Sequence, residues 1–430
     1  MVEPFADIVL AGYRLGARLL RPIVPLVISV RAARGKEDRA RIGERYGRAS
    51  LERPEGRLIW VHAASVGETN AVLPLVERLT AAGFPVLFTT TTVTSAEIAK
   101  TRLPARAIHQ FGPLDLPLYV ERFLDHWRPF FVVFVESELW PNVITRLEEA
   151  VVPLVLVNGR MSDRSFRRWQ RVAPIARSVL SRIGLVLARS EEDGRRFRVL
   201  GAKRVEVTGN LKFDTPPPEA DEAELARLKT AIAGRPVWVA ASTHEGEESV
   251  VAEAHEILRP RLPGVLSIVV PRHPSRGDSI RGTIASQGLS VAQRSRGEAI
   301  RADTDVYVAD TLDEMGLIFR LAPVAFLGGS IVAHGGHNPI EPVRLGAAVI
   351  HGPHIHNFAD LYALVDRVGP TPRIVDGASL ADAVADLLAD PGAAAKRAAE
   401  TVAALSPLSG ALDATMLALK PYLSGKYYSP

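Results

Sequence analysis

Cysteine is absent from the 430 residues, so disulfides and thiolate metal sites are excluded and a reducing compartment is permitted without being required. Strong net charge is missing as well. The formal charge is +4, and residues 1–50 hold ten Lys or Arg against five Asp or Glu, so that segment is +5 and the rest of the chain sums to −1. This argues against a nucleic-acid groove through the body of the protein and for a local anionic partner of the N-terminus, such as a membrane surface. Short-period repeats and low-complexity tracts are missing. So is metal-ligand spacing: His351, His354 and His356 form a loop run with no carboxylate close in sequence, and Asp303-Thr-Asp305 precedes a strand where a metal–diphosphate site would follow one. The N-terminus lacks the long uncharged run of a signal peptide. Glu3 and Asp7 come before any basic residue, and the longest uncharged stretch there, Pro22 to Val30, is broken by Pro25.

Residues 4–30 are apolar, yet they contain Arg14, Arg18 and Arg21. At a helix's 100° per residue these arginines fall within about 60° of arc, one narrow polar stripe on an apolar rod. Such a helix lies in a membrane interface more readily than it spans. A helix docked on its own domain is the competing reading, and the basic segment Arg31 to Arg48 that follows favours the membrane.

At 430 residues, 46.6 kDa and 47% hydrophobic content, two α/β domains with full cores are expected. Leu58–Ala63, Val86–Thr91, Phe130–Val135, Pro153–Val157 and Gly184–Ala188 read as buried parallel strands. The run Phe213 to Glu222, with three prolines and several acids, is the best linker candidate. The pattern restarts with Val237–Ala241, Val265–Val270, Val306–Ala309, Val324–Leu327 and Ala347–Ile350. The expected organisation is a membrane-associated segment 1–50, Rossmann-like domains 51–214 and 215–408, and a C-terminal helix and tail 409–430. In doubly wound folds ligands bind beyond the carboxyl ends of the strands.

Each strand end therefore matters. His62-Ala-Ala-Ser-Val-Gly-Glu68 permits close approach of a ligand and projects Glu68 from a helix start, where it also complements the helix dipole. Glu136-Ser-Glu-Leu-Trp-Pro-Asn142 follows a run of apolar β-formers, and burying its two carboxylates costs free energy unless they are paired. Spacing does not separate the roles of Glu136 and Glu138. Lys212, in Gly209-Asn-Leu-Lys-Phe-Asp214, either reaches an anionic group in the site or is a solvated linker lysine. In the second half, Arg272 and His273 are held rigidly between two prolines after a strand, suited to a phosphate or a base edge. Thr311 with Glu314 has the form of a capping box. Leu327 to Pro342 packs two Gly-Gly pairs, His334 and His337 before a helix start at which Asn338, Pro339 and Glu341 take the N-cap, first and third positions. It reads either as an anion cradle or as a tight turn with a cap.

Taken together with Asn158-Gly-Arg160, Pro271-Arg-His-Pro274 and Gly335-Gly-His-Asn-Pro-Ile-Glu341, these motifs resemble, in order, the Kdo (3-deoxy-D-manno-octulosonate) transferases of lipopolysaccharide synthesis. The resemblance runs from about residue 10 to about residue 420. It implies a GT-B glycosyltransferase fold, two doubly wound Rossmann-like domains facing a cleft, with an N-terminal membrane-associated helix. It implies CMP-Kdo as donor, a lipid A precursor (lipid IVA) as acceptor, and work at the cytoplasmic face of the inner membrane. By the same resemblance Glu68 is the general base and Glu138 and Lys212 stabilise the transition state. CMP falls to Arg272, His273, Asp313, Glu314, Met315, Asn338, Pro339, Ile340 and Glu341. Asp313 departs from the family, where glycine is expected. Neither a cofactor nor a metal is expected, since CMP carries one phosphate. The alternatives are another GT-B sugar-nucleotide enzyme, either a UDP-sugar transferase or an epimerase, and a non-catalytic membrane-bound nucleotide-binding protein.

Overall fold

The computed structural model describes the backbone of residues 4–425 and the side chains of residues 10–425; residues 1–3 and 426–430, the ends of the N-terminal segment and of the C-terminal tail, lie outside them. The chain divides into two compact units, Met1–Thr215 with Leu408–Pro430, and Pro216–Pro407.

In the first unit, β1 (Ile59–His62), β2 (Val86–Thr90), β3 (Ala107–Phe111), β4 (Phe131–Val135), β5 (Leu154–Gly159), β6 (Leu185–Ala188) and β7 (Val205–Val207) form one sheet in the order β3-β2-β1-β4-β5-β6-β7. Every pairing is parallel. In the second, β8 (Val237–Thr243), β9 (Leu266–Pro271), β10 (Val291–Gln293), β11 (Val306–Val308), β12 (Val324–Leu327) and β13 (Ala348–His351) are ordered β10-β11-β9-β8-β12-β13, again parallel throughout. The continuous apolar runs of the central strands are buried on both faces, as parallel sheets require. Three strands were not expected from the sequence: β3, β7 and β10. All three lie at sheet edges, where one side stays open and polar residues such as His109, Glu206 and Gln293 are accommodated, so no continuous apolar run marks them.

Both ends of the chain join the first unit. The helix Ala411–Leu423 buries Leu412, Leu419 and Tyr422 in the core beneath β1 and β4, with Tyr422 stacked on Phe131 at 5.3 Å. Asp214 receives the backbone N–H groups of Gly410 and Leu412, at 2.8 and 2.6 Å, which secures that helix's start. At the other end, the helix Pro4–Leu20 buries Leu10 in the core shared with Ala176, Val179 and Leu180, and Arg14 pairs with Glu149 at 2.7 Å. Part of the basic stretch Arg31–Arg48 is taken up by the fold, while Arg34, Lys36, Arg39 and Arg48 are exposed. Arg31 and Arg45 pair with buried Glu37, and Arg41 pairs with buried Glu44, so three of its cations are spent inside the fold. The opposite face of the N-terminal segment is apolar and exposed: Leu19 is 71% and Leu26 67% accessible, with Leu15, Leu20, Ile23, Val27 and Val30 beside them in sequence. Docking on the domain and an outward apolar face therefore coexist.

Candidate active site

In each sheet the first strand has neighbours whose connections leave in opposite directions, which opens a crevice at the carboxyl ends. In the first unit that point lies between β1 and β4. The loop after β1 ends in Ser65, which caps the helix Val66–Ala81 by accepting the Glu68 N–H at 3.4 Å. The Glu68 carboxylate folds back, accepting the Ala64 N–H at 2.7 Å and the Ser65 hydroxyl at 2.9 Å. Burial pushes its carboxyl up to about 7, the nearby Glu136 and Glu138 add to the rise, and the two hydrogen bonds only partly oppose it. A carboxylate titrating near 7 is poised to take a proton at neutral pH.

The loop after β4 separates the two other carboxylates. Glu136 is buried at φ 58, a left-handed conformation that costs a residue with a Cβ about 1–2 kcal/mol, and its strain is held by the Lys212 ammonium at 2.8 Å. Lys212 is thus paired with Glu136 at this strand end and is not a solvated linker lysine. It sits on a short turn, Leu211–Phe213, anchored where the Leu211 N–H donates to Asn158 at 3.0 Å, and a Cβ built on Gly67 would lie 3.9 Å from its Nζ. Glu138 takes the Trp140 indole N–H at 2.6 Å, with His62 Nε2 3.7 Å away. Burial raises the Glu138 carboxyl, but His62 and Trp140 outweigh it and hold it below the ordinary range. Three carboxylates and one ammonium therefore share the edge, with Glu68 raised and Glu138 lowered.

In the second unit the crevice lies between β8 and β12. Here the glycine-rich turn differs from its sequence reading. Gly329, Ser330 and Ile331 do point their N–H groups at an anion, but that anion is the fully buried carboxylate of Glu247, at 2.7, 3.1 and 3.0 Å, which also accepts the His244 N–H at 2.9 Å. A Cβ on Gly328 would meet Glu247 Oε2 at 2.7 Å, so glycine is required there for an internal carboxylate. Imidazoles gather beyond it. His244 stacks on His334 at 4.1 Å, its Nε2 lies 3.0 Å from that of His337, and its ring stands 6.2 Å from His273. Arg272 donates its N–H to Thr243 O at 3.0 Å, at the foot of the same loop. Burial pushes the His337 imidazole down to about 4, with Arg272 and the other imidazoles adding to the fall, and His244 is lowered for the same reasons. An anion entering here would meet the neutral imidazoles of His244 and His337, which its charge would help protonate.

The helix after this loop, Ile340–Arg344, starts one residue later than expected: Pro339 is the N-cap, and Asn338 Oδ1 accepts the Ile340 N–H at 3.2 Å. Asn338 and Pro339 follow His337 directly, whereas Glu341 is exposed on the helix's first turn. Asp313, Glu314 and Met315 lie beyond β11, two strands along the same edge from β8. Asp313 adopts φ 61, which explains why glycine suits the position and why aspartate, with its short polar side chain, is tolerated there. The expected capping box at Thr311 is not formed as such: the helix Met315–Phe319 begins at Glu314, whose carboxylate binds Thr311 and the Arg294 guanidinium. Sequence reading gave no role to His244 or Glu247 and missed the anchoring role of Asn158. Among the described residues no group of three or more His, Asp or Glu could hold a metal ion.

Comparison with known proteins adds the following. The family model described as 3-deoxy-D-manno-octulosonic-acid transferase (kdotransferase) matches residues 40–215. The 3-deoxy-D-manno-octulosonic acid transferase of Bordetella pertussis is 36% identical over 427 residues, covering 96% of this chain and 99% of that protein. That of Haemophilus influenzae is 32% identical over 415 residues, covering 94% and 96%. Among solved structures, a glycosyltransferase from Rickettsia africae aligns with a TM-score of 0.58 at 13% identity, over 86% of this chain and 99% of that one. At such identity the likeness shows the fold alone, two parallel-sheet α/β units resembling the GT-B glycosyltransferases.

Proposed function

The chain belongs to the Kdo transferase family, and from that premise we propose a residue-level account of how it moves Kdo from CMP-Kdo onto a lipid A precursor in lipopolysaccharide synthesis. It is a glycosyltransferase. The observation that carries the account is Glu68, a carboxylate held at a helix start with its carboxyl pushed up to about 7 beside two further carboxylates.

Glu68 takes the proton of the acceptor hydroxyl as that oxygen bonds to the anomeric carbon of Kdo. On the opposite face the bond from that carbon to the CMP phosphate breaks, and its electron pair leaves with CMP, so the configuration inverts. The transition state has oxocarbenium character, which the Glu138 carboxylate stabilises. Lys212 offsets the charge accumulating among three carboxylates and the carboxylate of Kdo. In the second unit Arg272 and His273, with Asp313 to Met315 and Asn338 to Glu341, bind CMP, whose single phosphate needs no metal clamp. The acceptor is an anionic glycolipid of the cytoplasmic face of the inner membrane. The exposed leucines of the N-terminal helices support docking there.

Mass spectrometry of the product from CMP-Kdo and a tetraacylated lipid A precursor tests the reaction and counts the Kdo residues added. Glu68→Ala is expected to abolish transfer and keep CMP-Kdo binding. Full activity in that variant, or inhibition by UDP and not by CMP, overturns the account.

A further inference from the structure

Between β5 and β6 the helix Asp163–Arg171 reads Asp-Arg-Ser-Phe-Arg-Arg-Trp-Gln-Arg. Its Phe166 and Trp169 pack on the core of the first unit. Arg164, Arg167, Arg168 and Arg171 fall within about 100° of arc on the other face, all exposed, and among the described residues they line a surface concavity of about 460 Å³. None of the four makes a hydrogen bond or ion pair among the described residues. On a nearby helix, by contrast, exposed Arg195 and half-buried Arg196 share Glu192 at 2.8 Å each. The one acid of the arginine helix, Asp163, is already taken by Arg196. Like charges three and four residues apart each destabilise a helix by a few tenths of a kcal/mol. The fold thus carries an uncompensated cationic hollow that does nothing for its stability.

Its place matters as much as its charge. The strand before it, β5, leaves the sheet next to β4, and the Arg160 N–H donates to Glu136 O at 3.2 Å. The arginine helix therefore starts at the sheet edge that carries Glu68, Glu136 and Glu138. We propose that this hollow is a phosphate subsite for the lipid acceptor: the four guanidiniums bind a phosphomonoester on the glycolipid and so orient its sugar hydroxyl toward Glu68. This rests on the reading of the acceptor as an anionic lipid given above. A phosphomonoester offers three oxygens and close to two charges, which planar guanidiniums match bidentately, and a concave site suits a single headgroup better than a flat bilayer surface.

The test uses the full chain in neutral detergent micelles, with the phosphorylated acceptor and the same acceptor after phosphatase treatment. Replacing the four arginines by glutamine, R164Q, R167Q, R168Q and R171Q together, is expected to raise the acceptor KM about 10- to 100-fold. The KM for CMP-Kdo and kcat stay within about twofold, and the dephosphorylated acceptor shows no difference between variant and wild type. A fourfold Arg→Lys variant regains part of the affinity, and thermal unfolding of the glutamine variant occurs no lower than that of the wild type, since repulsion is relieved. An unchanged acceptor KM in micelles overturns the proposal. So does a defect seen only as lost binding to anionic vesicles, which would assign the arginines to bilayer headgroups. Calorimetric binding of the phosphorylated acceptor to wild type and variant is read whether or not transfer occurs. Absent transfer by the wild type refutes the function, and equal binding by both proteins refutes the subsite.

Discussion

Removing one hydroxyl should move the pH dependence of transfer. Ser65 donates to Glu68 Oε1 at 2.9 Å, and that bond favours the ionised carboxylate against burial and the repulsion of Glu136 and Glu138. A hydrogen bond to a charged group contributes roughly 1.5–3 kcal/mol. Ser65 is exposed, so water replaces part of it in Ser65→Ala and a loss of about 1 kcal/mol is the better figure. At 1.36 kcal/mol per pKa unit, this lifts Glu68 from about 7 to about 8. A general base must be ionised, so the acid limb of kcat/KM shifts upward by the same amount. At pH 7 the active fraction falls from about a half to about a tenth, and it returns to wild type near pH 9. The assay is transfer from CMP-Kdo across about pH 5 to about pH 9. An equal loss at every pH, or an unmoved limb, refutes the assignment of Glu68 as base. Stability depends on pH through the same group. The folded carboxyl, near 7, lies above its ordinary 4.5, so the folded state keeps a proton that the unfolded chain releases between those values. Stability therefore falls as pH rises from about 4.5 to about 7 and is flat above, and in Ser65→Ala the falling window extends to about 8. Loss of the helix cap adds about 1 kcal/mol at all pH values.

Three further outcomes follow from the same geometry. Glu247→Gln puts an amide NH₂ where five N–H donors converge, so we expect a loss of about 2–4 kcal/mol in urea denaturation and weaker CMP binding, because His244, His334 and His337 hang on those loops. At Asp313, with φ 61, glycine changes stability by less than about 0.5 kcal/mol while valine costs about 1–2 kcal/mol; equal effects of the two would refute a conformational role. Leu19→Glu with Leu26→Glu, both largely exposed, leaves thermal stability within about 0.5 kcal/mol. The same pair reduces sedimentation with lipid vesicles at least about tenfold, and unchanged sedimentation refutes membrane docking by that face.

Several elements were legible because their signals are local. The ten apolar runs became ten strands since burial on both faces demands an uninterrupted row of aliphatic side chains, and the linker was marked by its three prolines. The strands that escaped notice lie at edges, where the demand is relaxed. The fate of the carboxylates was less local. Spacing left Glu136 and Glu138 equivalent, because their partners, Lys212 on one side and Trp140 with His62 on the other, include residues as far as 76 positions away.

By itself the sequence determined the periodicity of two parallel sheets, the polar residues placed at their carboxyl ends and the family to which those motifs belong. Tertiary structure decided which charges are free. It filled the glycine-rich turn with Glu247, spent Arg31, Arg41 and Arg45 on buried glutamates, raised Glu68 to about 7 and left four arginines of one helix without a partner among the described residues. Composition counts charges, but the strength of a charge depends on its desolvation and on its neighbours within a few ångströms, and these exist only once distant strands and loops are brought to one sheet edge.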